Sequence, residues 1–189
     1  MIDGLLALVP APHRSARDTG GVKLLVVGPL CAGKSTVARH LRSSPHTVVD
    51  LDDELTRLNG GVYPDLETRR TVVAPRALAD AAALPDVVLL HSTFDPDDVR
   101  ALRDAGFTTA LLEVSRAELH RRHRVRLRDE GWGNEEWAED NLALVADLRR
   151  LSLFDHVVDG ERPPDVVAAA LLALPDARAR TRTQPQPQP

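Results

Sequence analysis

The feature that most constrains this chain is residues 28–36, which read Gly-Pro-Leu-Cys-Ala-Gly-Lys-Ser-Thr. An apolar segment, Val22–Val27, runs into this stretch, and the residues after it show apolar positions at helical spacing as far as Ser43. A buried strand that turns through glycines into a helix directs the backbone N–H groups of residues 29–35 inward, and the helix N-terminus adds partial positive charge. The sequence therefore predicts a phosphate-binding loop between a parallel strand and a helix.

This stretch fills every fixed position of the phosphate-loop pattern G-x-x-x-x-G-K-[S/T]. In such a loop Lys34 is expected to reach the terminal phosphates, and the Ser35 hydroxyl is expected to bind magnesium, so ATP and Mg²⁺ are the predicted cofactors. Nucleotide contacts are predicted for seven loop residues: Gly28, Cys31, Ala32, Gly33, Lys34, Ser35 and Thr36. The alternative, a chance glycine-rich turn with no ligand, is disfavoured by the matching strand and helix on either side.

Length and composition limit the class of protein. The 189 residues suffice for one domain with a substantial core, and the single cysteine excludes an internal disulfide. This cysteine count favours a reducing compartment, so we expect a cytoplasmic protein. No apolar run approaches the ~20 residues that span a bilayer. We expect a monomer or a homodimer. The net charge of −4 argues against general adhesion to nucleic acid. The predicted organisation is a partly ordered arm over residues 1–20, one domain over 21–175, and a disordered tail rich in Pro, Gln and Arg over 176–189.

A carboxylate cluster ends the second predicted strand, which covers Thr47–Asp53. In a strand, Asp50 and Asp52 share one face, and parallel strands deliver their carboxyl ends to the ligand crevice. Asp52 is therefore predicted to meet a phosphate acceptor. The alternative interpretation is a capping and turn cluster before a helix.

Three further segments read as buried strands, and helical patterns alternate with them, which predicts an α/β fold with a parallel sheet. The strands cover Asp86–His91, Phe107–Val114 and Phe154–Val158, and the helical patterns cover 54–84, 95–106, 115–128, 135–151 and 163–174. His91, at a strand end, has two interpretations: contact with a phosphate or a metal-bound water, or a hydrogen-bonded structural role. Trp137 is read as a packing anchor on an apolar stripe rather than as a base-stacking platform.

Arginines mark two helical regions. In the interrupted region 54–84, an acceptor-binding flap is one interpretation, and a solvated helix face is the other; its arginines are Arg57, Arg69, Arg70 and Arg76. After the fourth strand, Arg121, Arg124 and Arg128 fall on one helix face, where they predict a lid that closes over polyphosphate. Residues 129–134 are the predicted hinge of that lid. For Cys31, redox control and a merely tolerated small side chain are both open.

The assembled pattern resembles the phosphate-loop kinases of the adenylate and shikimate kinase type over residues 22–174. The shared segments are GPLCAGKST, VVDLDDEL, LHRRHRVRLR and FDHVVDGERPPDVVAAAL. The resemblance implies a three-layer α/β/α domain with a five-stranded parallel sheet in the order 2-3-1-4-5. It also implies that Asp52 contacts the acceptor hydroxyl, that Asp50 lies near magnesium, and that Arg162 lies beside the adenine. The chain departs from shikimate kinases where their triple glycine is replaced by Leu90-His91-Ser92.

The function hypothesis is transfer of the γ-phosphoryl group from ATP to a hydroxyl or phosphate of a small molecule, with nucleosides and nucleotides among the candidate acceptors. Lys34, the loop amides and the three lid arginines would stabilise the charge, and Asp52 would orient the acceptor. A polynucleotide end-kinase and a nucleotide-dependent regulatory ATPase are the alternatives. A GTPase is disfavoured because no [N/T]-K-x-D motif is present, and an AAA-type motor because the chain is short and the third strand lacks an acidic end.

Overall fold

The computed structural model describes residues 21–91, 95–131 and 135–174. The predicted arm over 1–20, the predicted tail over 176–189, Ser92 and residues 132–134 of the predicted hinge lie outside the described residues. Within the described ranges, no helix is long and apolar enough to cross a membrane.

Five parallel strands form the sheet in the order β2-β3-β1-β4-β5, which confirms the predicted fold class. The strands are β1 (Lys23–Val27), β2 (Thr47–Asp50), β3 (Val87–His91), β4 (Thr108–Glu113) and β5 (His156–Asp159). In the central pairing, Val27 of β1 is in register with His91 of β3 and with Leu111 of β4. Because every strand points the same way, all five carboxyl ends meet at one edge, and the phosphate loop leaves β1 at that edge.

Helices cover both faces of the sheet. They are α1 (Lys34–Leu41), α2 (Leu51–Leu58), α3 (Leu66–Thr68), α4 (Ala74–Ala83), α5 (Pro96–Asp104), α6 (Arg116–Glu130), α7 (Glu135–Arg150) and α8 (Pro164–Leu172). Side chains of β1 alternate between the two faces: Leu24 and Val26 pack with α1 and α8, whereas Leu25 and Val27 pack with α2, α4 and α5. This alternation gives two hydrophobic cores and the three-layer arrangement.

The segment after β2 differs from the sequence prediction. β2 ends at Asp50, whose carboxylate accepts a hydrogen bond from the Asp52 N–H at 3.2 Å and so caps α2. Asp52 lies in the first turn of that helix, so the prediction that Asp50 and Asp52 share a strand face was wrong. A carboxylate cap followed by acidic residues stabilises a helix N-terminus, and this preference ends the strand early.

The region between α2 and β3 is less interrupted than predicted. A π-helical turn, Arg69–Val73, joins α3 to α4 directly. Pro75 lies in the first turn of α4, where its missing N–H costs little. Leu66 is 60% exposed, whereas Val73 and Ala77 are buried.

The helix pair α6 and α7 is held together by Glu139, which accepts hydrogen bonds from Arg116 and contacts His120 Nε2 at 2.6 Å. On α7 only part of the predicted apolar stripe is buried. Leu148 is fully buried, but Trp137 is 47% exposed, so its interpretation as a packing anchor was wrong.

Candidate active site

The loop between β1 and α1 adopts backbone conformations that favour small residues. Gly33 has φ +100° and Cys31 has φ +64°, both in the left-handed region. Gly28 donates its N–H to the His91 carbonyl at 3.3 Å, and a Cβ at Gly28 would lie 3.1 Å from the Leu112 carbonyl oxygen. Gly33 provides no side-chain cap for α1, so the first N–H groups of the helix face the loop interior.

Lys34 lies under this loop with its side chain folded back. Its ammonium donates to the carbonyl oxygens of Gly28 at 2.9 Å and Pro29 at 2.8 Å, and the residue is 9% exposed. Burial lowers the pKa of Lys34 to about 8, and the carboxylates of Asp52 and Asp50 oppose that shift. The Lys34 ammonium and the two predicted site carboxylates thus share one electrostatic environment.

Ser35 and Asp50, the two predicted magnesium ligands, lie together. Burial raises the pKa of Asp50, and the neighbouring Ser35 hydroxyl opposes that shift. One hydroxyl and one carboxylate are hard oxygen donors of the kind magnesium prefers, and magnesium binding with few protein ligands leaves positions for phosphate and water. The donor set therefore fits Mg²⁺. In the described ranges, no group of three or more His, Cys, Asp or Glu side chains is gathered into a larger metal cluster.

Asp52 faces a tyrosine that the sequence interpretation did not single out. The Tyr63 hydroxyl donates to Asp52 Oδ1 at 3.2 Å and accepts from Arg69 Nη1, also at 3.2 Å. Arg69 was one of four arginines considered for the acceptor. Of the other three, Arg57 pairs with Glu54, Arg76 lies 3.8 Å from Asp80, and Arg70 is exposed.

The arginines that approach the loop are not all those predicted. Arg122 donates to the carbonyl oxygens of Ala32 at 2.9 Å and Gly160 at 3.0 Å. Arg126 Nη1 lies 3.9 Å from the sulfur of Cys31. Helix α6 therefore contacts the phosphate loop through Arg122 and Arg126, which lie four residues, or about one helical turn, apart.

The predicted lid arginines divide between two environments. Arg121 is held by both oxygens of Glu118 and faces the site, whereas Arg124 and Arg128 lie outside it, with Arg128 paired to Asp129. Helix α6 therefore does not contact the phosphate loop with the face that carries Arg121, Arg124 and Arg128.

A single open cleft of about 1420 Å³ connects these groups. Among the predicted site residues, Asp52, Arg121 and Arg162 line it together with most of the loop. Gly28 and Asp50 lie behind its wall, as their burial requires. Trp137 also lines the cleft, beside Asn141, whose side-chain oxygen accepts the Leu30 N–H at 3.0 Å.

His91 is buried at the end of β3. Burial lowers its pKa well below the ordinary 6.5, and the nearby cations Lys34 and Arg69 lower it further. The imidazole is therefore neutral at physiological pH. Its main-chain carbonyl, which accepts from Gly28, gives this residue a structural role in holding the loop.

Residues 24–144, more than half of the chain, match the family model described as an AAA domain. No curated protein matches the sequence.

Solved kinase structures match most of the chain. The shikimate kinase from Acinetobacter baumannii, in complex with shikimate, has a TM-score of 0.63 at 20% identity and covers 87% of this chain and 96% of that chain. For the shikimate kinase from Aquifex aeolicus the TM-score is 0.59 at 20% identity, and the match covers 86% of this chain and 100% of that chain. For a gluconokinase from Sinorhizobium meliloti the TM-score is 0.59 at 16% identity, and the match covers 87% of this chain and 99% of that chain. The chain therefore has the phosphate-loop fold that these kinases share.

Proposed function

The chain belongs to the AAA domain family, and from this membership and the cleft geometry we propose that it is an ATP- and Mg²⁺-dependent phosphotransferase. It transfers the γ-phosphoryl group to a hydroxyl or phosphate of a small molecule. The observation that carries the proposal is that one cleft joins the phosphate loop to Asp52, Tyr63 and Arg69. The names of the similar structures, shikimate kinase and gluconokinase, support a small-molecule acceptor.

The donor half of the site consists of the loop and the residues beneath it. The N–H groups of the loop and the start of α1 bind the phosphates, and Lys34 leaves the Gly28 and Pro29 carbonyls to neutralise the terminal phosphate. Ser35 and Asp50 would hold Mg²⁺, which would neutralise charge on the phosphate oxygens. Arg162, on the cleft wall after β5, is assigned to the adenine side.

Arginines supply the remaining positive charge. Arg121, Arg122 and Arg126 already line the cleft, so their guanidinium groups stabilise the charge that spreads over the transferred phosphoryl oxygens. Arg124 and Arg128 take part only if α6 moves when the lid closes, and their role remains a prediction.

The acceptor half consists of Asp52 and its neighbours. Asp52 orients the acceptor hydroxyl and takes its proton as the bond to phosphorus forms. Its place in the first turn of α2 fixes the carboxylate beside the loop, because the Asp52 N–H is itself held by Asp50. Most of the rate enhancement comes from this positioning and from preorganised charge.

The test is ATP consumption against a panel of hydroxyl metabolites, nucleosides and nucleotides, with phosphorylated products identified by mass. Lys34→Ala is expected to abolish transfer, and Asp52→Asn to remove turnover while ATP binding stays nearly intact. Asp80→Asn, an exposed carboxylate on α4 outside the cleft, is the matched control and should retain full activity. Chelation of magnesium should stop the reaction in every variant. Full turnover by Asp52→Asn would contradict the role given to this residue.

A regulatory ATPase is the second candidate, since the matched family description, an AAA domain, names no phosphate acceptor. The two candidates differ in what stimulates ATP consumption. A phosphotransferase consumes ATP in step with a phosphorylated small-molecule product, whereas a regulatory ATPase releases inorganic phosphate and responds to a protein partner. The panel decides between them when both products are measured.

A further inference from the structure

The Tyr63 phenol makes the two hydrogen bonds that a bound alcohol would make. Its O–H donates to the Asp52 carboxylate, and its oxygen accepts from the Arg69 guanidinium, both at 3.2 Å. Asp52 and Arg69 both line the cleft that contains the phosphate loop. The phenol therefore uses the carboxylate that the proposed function assigns to the acceptor hydroxyl.

The backbone around Tyr63 holds the ring in this place without burying it. Gly60 and Gly61, with φ of +74° and +93°, turn the chain after α2, and the Asn59 side chain donates to the Val62 carbonyl at 2.9 Å. Tyr63 itself is 47% exposed. A side chain that is half in solvent can leave the carboxylate without opening a cavity in the core.

The phenol is also in the right ionisation state. Burial of its hydroxyl raises the pKa of Tyr63, and the Arg69 hydrogen bond opposes the shift. The hydroxyl is therefore protonated at neutral pH and donates to Asp52, as an alcohol does.

We propose that Tyr63 is a specificity-determining residue whose hydroxyl occupies the place of the acceptor hydroxyl until an alcohol displaces it. While it is in place, it keeps Asp52 from orienting water for attack on ATP. This inference rests on the proposed function and narrows it.

The acceptor class that follows is an alcohol rather than a phosphate. The displacing group must donate a hydrogen bond to Asp52 and accept one from Arg69, and a hydroxyl does both. A phosphate acceptor at neutral pH is mostly a dianion with little to donate, and it would meet the carboxylates of Asp52 and Asp53, which line the same cleft.

The chemical step balances without a further reagent. The alcohol oxygen forms a bond to the γ-phosphorus, the bond from that phosphorus to the bridging oxygen breaks, and ADP leaves. The alcohol proton passes to Asp52. With water in place of the alcohol, the same bonds change and the products are ADP and inorganic phosphate, which is the reaction that Tyr63 suppresses.

The experiment needs no identified acceptor, because it measures ATP hydrolysis by the full-length protein with Mg·ATP alone. A hydrogen bond to a charged group is commonly worth about a tenfold factor or more, so Tyr63→Phe is expected to raise acceptor-free hydrolysis roughly tenfold. The rise must vanish in the Tyr63→Phe/Asp52→Asn double variant. Val62→Ala, at an exposed residue of the same loop outside the cleft, is the matched control and should leave hydrolysis unchanged.

The outcomes separate the inference from the proposed function. Lys34-dependent hydrolysis that does not rise in Tyr63→Phe, or that rises equally without Asp52, overturns the inference and leaves the phosphotransferase standing. Absence of ATP binding by the wild-type protein, measured by calorimetry, overturns the proposed function and with it the inference. If the Tm of Tyr63→Phe equals that of the wild type, a change in hydrolysis rate does not come from a loss of folding.

Discussion

Replacement of Arg122 by alanine is expected to destabilise the protein more than loss of any exposed arginine on the same helix. Arg122 connects three parts of the site: α6, the phosphate loop through Ala32, and the loop after β5 through Gly160. Ala32 is 1% exposed and Gly160 is buried, so water replaces the lost donors poorly at these two carbonyls.

The magnitude follows from the bonds that the variant loses. Arg122 also contacts Glu118 at 2.7 Å, but Glu118 keeps the bidentate contact with Arg121, and both partners are partly exposed, at 23% and 20%. The ion pair with Glu118 therefore contributes little to stability. The estimate includes only the two hydrogen bonds to the carbonyl oxygens, each worth about 1 to 1.5 kcal/mol. The expected loss in free energy of unfolding is about 2 to 3 kcal/mol.

Thermal and urea unfolding measure this loss. For a chain of this size about 1 kcal/mol corresponds to roughly 2–4 °C, so the expected fall in Tm is roughly 4–12 °C. Arg128→Ala is the control: its ion pair with Asp129 is exposed, at 72% and 51%, and Tm should hardly change. Arg122→Lys keeps the charge but reaches fewer acceptors, so its Tm should lie between. A loss from Arg122→Ala no larger than that from Arg128→Ala would refute the reasoning.

Two further predictions concern a buried base and an exposed ring. Because the pKa of His91 is lowered in the folded state, the unfolded chain binds a proton that the folded protein does not. Above pH 6.5 the imidazole is neutral in both states and His91 costs the folded protein nothing. Below pH 6.5 the free energy of unfolding falls by up to about 1.4 kcal/mol per pH unit, because only the unfolded chain takes up the proton. His91→Gln should therefore flatten the fall of Tm between pH 7 and 5, and an unchanged slope contradicts this prediction. Trp137 lines the cleft, so Mg·ATP or an acceptor should alter its fluorescence in a Trp132→Phe variant, and an unaltered spectrum at saturation contradicts that place.

The fold was predictable because its signals are local. Short apolar runs alternate with helical patterns, and Gly28 and Gly33 mark the turn between β1 and α1, where a close approach and a positive φ respectively require glycine. A parallel sheet follows from that alternation, since each crossover between parallel strands needs a helix. The strand order came from the family resemblance and is confirmed by the structure.

The face of α6 was not predictable in the same way. The helix has almost no apolar periodicity, and its buried residues are Leu119 and His123. A spacing rule places Arg121, Arg124 and Arg128 on one side of the helix, but only the buried residues decide which side meets the protein. Those two place Arg122 against the loop, and a histidine in a charged segment is a weak signal of burial.

The position of Asp52 illustrates a conflict between two local signals. The run before it reads as a strand, but Asp50 is also a good helix cap, and acids at positions 52–54 suit a first helical turn. The capping signal prevailed. Asp52 still reaches the site, because a helix that starts at the carboxyl edge of the sheet carries its first turn into the same crevice.

The two halves of the proposed site are built differently, and this explains why the sequence indicated the donor loop but not the contact of Tyr63 with Asp52. The proposed phosphate site is the main chain of one contiguous loop, so a few glycines and a lysine indicate it in the sequence. The acceptor half depends on side chains that meet across a glycine turn and a π-helical segment: Tyr63 follows Gly60 and Gly61, and Arg69 is the first residue of the π-helical turn. Because Tyr63 and Arg69 line the cleft from outside the contiguous loop over residues 28–36, we expect substitutions between residues 59 and 73 to change the acceptor without altering the donor loop. Swaps of this segment alone should therefore shift acceptor preference while the KM for ATP stays near its original value.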